Sequence, residues 1–64
     1  MRVTEFWARM RRQFGEGYAD SVARDFVIAE LGGRTVIQAL ADGEDIKTVW
    51  LAVCEARAVP PSRR

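Results

Sequence analysis

Residues 35–56 read TVIQALADGEDIKTVWLAVCEA, and this stretch decides the fold class. Thr35-Val36-Ile37-Gln38 has the form of a capping box, in which the threonine hydroxyl and the glutamine side chain each satisfy a backbone N–H left free by the first helical turn. A short helix over 36–42 follows. Gly43 closes it, Asp45 caps the next, and Ile46, Val49, Trp50 and Val53 then recur at helical spacing, predicting a helix over 45–57. Nothing in the stretch alternates apolar and polar residues as a strand does.

The same period runs upstream. Val3, Phe6, Trp7, Met10 and Phe14 form one stripe of a helix over 4–14, with Thr4 as its N-cap, Glu5 and Arg9 as an i,i+4 pair, and Gly15 as a left-handed stop. Tyr18, Val22, Phe26 and Ala29, widened by Val27, Ile28 and Leu31, predict the most buried helix, over 18–31, ended by Gly32-Gly33. Its start is open, because either Gly17 or Asp20 can precede the first turn. Val59-Pro60-Pro61 stops any further helix. The expected architecture is therefore all-α, a compact orthogonal bundle of four short helices. One helical domain spans 1–59 and a flexible tail 60–64.

With 64 residues, 48% of them apolar and 30% charged, the chain suits one small folded domain. A single cysteine permits no internal disulfide, so packing or self-association must supply the stability that so small a core lacks. Arg2, Arg9, Arg11 and Arg12 interrupt every apolar stretch near the start, so no signal peptide is expected and a reducing cytoplasm is. No segment reaches the ~20 apolar residues of a membrane span. Net charge is only +1. Its distribution is uneven: residues 1–14 carry those four arginines against Glu5, net +3, whereas 15–31 carry Glu16, Asp20, Asp25 and Glu30 against Arg24, net −3. The first two helices are expected to pair through these charges.

With the helices placed, the motifs Thr4-Glu5-Phe6-Trp7, Met10-Arg11-Arg12-Gln13-Phe14-Gly15, Tyr18-Ala19-Asp20-Ser21, Leu31-Gly32-Gly33-Arg34-Thr35, Gln38-Ala39-Leu40-Ala41-Asp42-Gly43, Val49-Trp50 and Ala52-Val53-Cys54 are together similar to a short actinobacterial family of unknown function. The similarity covers nearly the whole chain. It implies a compact helical cytoplasmic protein, often encoded near the recombinase of homologous repair, with no known activity and no catalytic residues. Val22, Phe26, Ile37 and Leu51 stand where that family's pattern implies a bulkier aromatic, a histidine, an acidic residue and an arginine.

Chemistry is hard to find. The chain has no histidine, and Cys54 beside Val53 on the inward side of the last helix has no base to activate it, so no catalysis is expected. Asp42, Glu44 and Asp45 lack EF-hand spacing and suit turn and cap roles. The glycine pairs lack the Lys-Ser/Thr of a phosphate loop. Neither metal nor cofactor nor small-molecule substrate is expected. The first helix sets Phe and Trp opposite Arg as a membrane-surface helix does, but the same stripe serves as core in a small bundle.

Binding is the remaining class. Ala39, Gly43 and Val49 fall where a helix-turn-helix has its small residue, turn glycine and first core residue, yet the second helix offers nucleic acid only Lys47, Thr48 and Arg57 among several acids. The expected function is a non-enzymatic protein-interaction module, accessory to DNA repair or recombination if the family context holds, docking on another protein or on a second copy of itself. Its contacts are Trp50, Leu51, Ile37, Arg9 and Arg12. The alternative is a nucleic-acid-binding accessory protein using the segment 36–57 together with Arg9, Arg11, Arg12, Arg63 and Arg64, with Arg2 and Arg34 near the same cationic face.

Overall fold

Helix α1, Val3–Phe14, buries Phe6 and Met10 completely, one turn apart on the face its apolar period selects. Trp7 and Phe14 pack half-buried beside them, while Val3 lies 58% exposed and does not join the stripe. The computed structural model describes residues 1–60 and Ser62. Glu5 in the first turn of α1 and Arg11 and Arg12 in the last suit the helix dipole. The N-cap is Arg2, with no side-chain bond, so Thr4 sits inside the first turn and is not the cap.

Gly15 ends α1, but at φ 88, ψ 156 rather than in the left-handed helical conformation. That extended glycine reverses the chain in a single residue. Helix α2, Glu16–Asp25, therefore starts before both of the starts the sequence offered, and Gly17 is helical.

The larger correction concerns where α2 stops. It ends at Asp25 and does not run to Leu31. Phe26, Val27 and Ile28 are aromatic and β-branched residues, which suit extended backbone better than helix, and Phe26 and Ile28 adopt it. Ile28 makes one antiparallel bridge with Arg34, its N–H donating to the Arg34 carbonyl at 3.0 Å. Between them Ala29–Leu31 forms a single 3-10 turn. The looped path still delivers Ile28 and Leu31 to the core, each 2% exposed, but turns Val27 outward at 65% and leaves Ala29 exposed.

Helices α3, Val36–Ala41, and α4, Ile46–Ala56, form as their caps predict. The capping box is complete: Thr35 Oγ1 accepts from the Gln38 N–H at 3.2 Å and Gln38 Oε1 accepts from the Thr35 N–H at 2.9 Å. Asp45 accepts from the Thr48 N–H at 3.2 Å. Both helices end in a Schellman motif. In α3, Glu44 N–H donates to the Ala39 carbonyl and Gly43 N–H to the Leu40 carbonyl, with Gly43 at φ 88. In α4, Val59 N–H donates to the Cys54 carbonyl at 2.9 Å and Ala58 N–H to the Glu55 carbonyl at 3.4 Å, with Ala58 at φ 53 in the glycine position. This second motif folds Val59 back to 1% exposure, a core residue that a helical period ending near Ala56 does not reveal.

Among the described residues the result is an all-α bundle of four helices. The α1–α2 hairpin is its largest contact; α4 packs on α1, on α3 and on the 3-10 turn, and α2 also meets α3. A folded 7.2 kDa monomer should expose about 4,100 Å², and the surface here is 4017 Å². The exposed area is thus that of an ordinary folded monomer of this mass.

Candidate interaction surface

Trp50 is the first residue to place, because the sequence offers it as a contact. It is 1% exposed and stands edge-on to Phe6, with ring centroids 6.0 Å apart at 89°. Phe6 in turn meets Trp7 at 5.3 Å and 79°. Trp50 is therefore core and not a protein contact. The apolar area of the indole outweighs the cost of its Nε1–H, which is buried without a hydrogen-bond partner among the described residues.

Its neighbour Leu51 points the other way. Leu51 on α4 and Ile37 on α3 are each 42% exposed, as the sequence predicts. The outward row of α4 is Lys47, Thr48, Leu51 and Glu55, all exposed, whereas Val49, Ala52, Val53 and Cys54 face the core.

The base beneath this surface is held by Arg34, whose role the sequence reading missed. Its guanidinium donates from Nη1 to Asp42 at 3.0 Å, from Nη2 to Glu44 at 2.7 Å, and from Nε to the Leu31 carbonyl at 2.8 Å. One planar fork thus ties the 3-10 loop to the α3–α4 turn. The bond Arg34 donates to Asp42, then that to Glu44, raises its pKa above the ordinary value. Arg34 accordingly does not belong to the cationic face. Only the acids at 42 and 44, adjacent to a turn glycine, hinted at a partner for it.

The α1 arginines lie on a different element. Arg9 pairs with Glu5 at 3.7 Å, the i,i+4 pair read from the sequence. Arg11 and Arg12 are exposed, with no ion pair among the described residues. In the second helix Asp20 pairs with its own Arg24 at 3.2 Å. Arg63 and Arg64 lie outside the described residues.

A second cluster was also missed. Arg57 stacks over the Phe26 ring, 4.6 Å from its centroid, and its Nη2 donates to the Tyr18 hydroxyl at 3.3 Å. Tyr18 stands between Phe26 and Phe14, at 6.3 Å from each. Tyr18 is 47% exposed, so this residue, assigned to the inner face of the second helix, belongs to a surface clasp between α2 and the end of α4. The 39 residues separating Tyr18 from Arg57 put that contact beyond any local signal.

The segment resembling a helix-turn-helix has the internal features of one. Ala39 and Val49 are fully buried, and Gly43 takes its positive φ. Its second helix presents no net charge outward, however, with Lys47 balanced by Glu55. Among the described residues no group of three or more carboxylates or thiols could hold a metal, and no helix is long and apolar enough to cross a membrane.

A family model described as a protein of unknown function, DUF3046, matches residues 1–62. The chain belongs to the DUF3046 family. Comparisons with curated proteins and with solved structures gave no match. DUF3046 membership accords with the similarity seen in the sequence motifs and assigns neither an activity nor a residue role.

Proposed function

We propose that this DUF3046 chain is a non-enzymatic helical interaction module that binds protein through the outward sides of α3 and α4. The observation that carries the reading is Leu51, an aliphatic side chain left 42% exposed in the middle of a helix whose core face is already filled. Ile37 repeats the feature on the six-residue α3. Covering what remains exposed of each would contribute roughly 1 kcal/mol. The Arg34 fork supports the role by holding the α3–α4 turn in one geometry, which lowers the ordering cost of binding. The absence of histidine from the sequence and the burial of Cys54 favour a binding role over catalysis.

Nucleic-acid binding is the second reading, favoured by exposed Arg11 and Arg12 and by the helix-turn-helix placement of Ala39, Gly43 and Val49. The neutral outward row of α4 weighs against it. An accessory role in repair or recombination rests on the family resemblance alone.

A photo-crosslinking amino acid placed at position 37 or 51 in the native cell tests the proposal. Protein adducts are expected from both positions and not from position 21, an exposed site on α2. Crosslinking at 37 and 51 no greater than at 21 would overturn it.

A further inference from the structure

Helices α1 and α2 follow the electrostatic rule for an isolated helix. Each has a glutamate in its first turn, Glu5 and Glu16, and arginine in its last, Arg11 with Arg12 and Arg24. Helix α4 carries its dipole-complementing charges only at its caps, Asp45 before it and Arg57 after it. Lys47 lies in its first turn and Glu55 in its last, with no acid in the first turn and no base in the last. Both charges therefore oppose the helix's own dipole, and both lie in the exposed row that contains Leu51.

Their spacing is symmetric. Lys47 is four residues before Leu51 and Glu55 four after it, so each sits about 6 Å along the axis from Leu51 and within about 40° of it around the helix. Positive, apolar, negative is a self-complementary order when the row is read against itself in the opposite direction. Two such helices packed antiparallel about Leu51 put each Lys47 beside the Glu55 of the other copy and each Leu51 against its equivalent. Each lysine then also faces the negative end of the other dipole. A parallel pair would set like charges side by side.

We infer that the partner of this surface is a second copy of the chain, joined by a two-fold interface of α4 against α4 centred on Leu51, with Lys47 and Glu55 exchanged between the copies. The inference rests on the reading of this surface as a protein-binding one and names its occupant. Glu55 needs only to lie on this row, since a carboxylate can accept from more than one donor. A single short helix against its copy covers less than the ~1,200 Å² at which standard interfaces begin, so the dimer is a weak one.

Charge reversal at positions 47 and 55 in the whole chain, followed by sedimentation equilibrium at low salt, tests this. The wild type is expected to dimerise across the submillimolar range. Lys47→Glu alone and Glu55→Lys alone should each weaken the dimer at least tenfold, because each sets like charges together twice. Mixed one to one, those two variants should form a heterodimer, and the double variant K47E/E55K should regain much of the association lost in either single variant, short of the wild type by the dipole contribution. Leu51→Arg should be monomeric. All the substituted sites are exposed, and circular dichroism on each variant should show unchanged helix content. A wild type monomeric at millimolar concentration overturns the inference, as does a dimer indifferent to the single reversals or a double variant that stays monomeric. In that event adducts of other proteins at positions 37 and 51 would leave the broader reading standing, whereas adduct-free positions would remove both.

Discussion

Ala58→Gly should make this protein more stable. Ala58 occupies the position of the α4 Schellman motif that Gly43 occupies in α3, and it does so at φ 53, where its Cβ crowds the following carbonyl at a cost of roughly 1–2 kcal/mol. Glycine removes that cost but makes the unfolded chain more flexible, which takes back about 0.4–1 kcal/mol. The net gain is roughly 0.5–1 kcal/mol. In a domain of 64 residues this corresponds to a rise of about 4 to 7 °C in melting temperature. Gly43→Ala is the reciprocal test. A Cβ at Gly43 meets nothing within 4 Å, so its cost is backbone strain alone, and a fall of similar size is expected. Thermal and urea unfolding, followed by circular dichroism on both variants at one protein concentration, would measure the two shifts. A neutral or destabilising Ala58→Gly would refute the reasoning, because the motif that returns Val59 to the core would then not hold Ala58 in the left-handed conformation.

Three further outcomes are expected. Arg34→Ala should lower the melting temperature and Arg34→Lys should restore little of it, because an ammonium cannot present the planar fork that reaches Asp42, Glu44 and the Leu31 carbonyl together; full rescue by lysine would reduce the fork to simple charge. Thiol reagents should label Cys54 far more slowly in the native than in the unfolded protein, since the side chain is fully buried, and equal rates would refute the placement of α4. Duplex DNA should bind no tighter than about 10⁻⁴ M at physiological salt; micromolar binding with a steep salt slope, lost in the double variant R11A/R12A, would favour the nucleic-acid reading.

Parts of the surface were legible before the fold was. Leu51 falls off the inward stripe of its helix and is exposed; on α3 the period left either Ile37 or Val36 outside, and the structure buries Val36 and exposes Ile37. Trp50 was not legible in the same way. It adjoins Leu51, both are apolar, and either can belong to an interface until Phe6, from the far end of the chain, takes up its position against the indole ring.

The capping box at Thr35 and Gln38, the Asp45 cap and the apolar period of α1 and α4 are local. Each is decided within one or two turns by residues that touch through the same short stretch of backbone, so the sequence by itself determined an all-α chain and the limits of α3 and α4 to within a residue. The end of α2 was decided elsewhere. Val22, Phe26 and Ala29 keep helical spacing, yet the chain leaves the helix at Phe26, because an extended Ile28 bonds to Arg34 while Arg34 bonds onward to Asp42 and Glu44. Those partners lie 8 and 10 residues from Arg34, on the far side of a helix that must already be in place. The burial of Val59 and the clasp of Arg57 on Phe26 and Tyr18 have the same origin. Local hydrogen bonding sets where these helices begin, and tertiary packing decides where a periodic stretch breaks and which of two adjacent apolar side chains meets solvent.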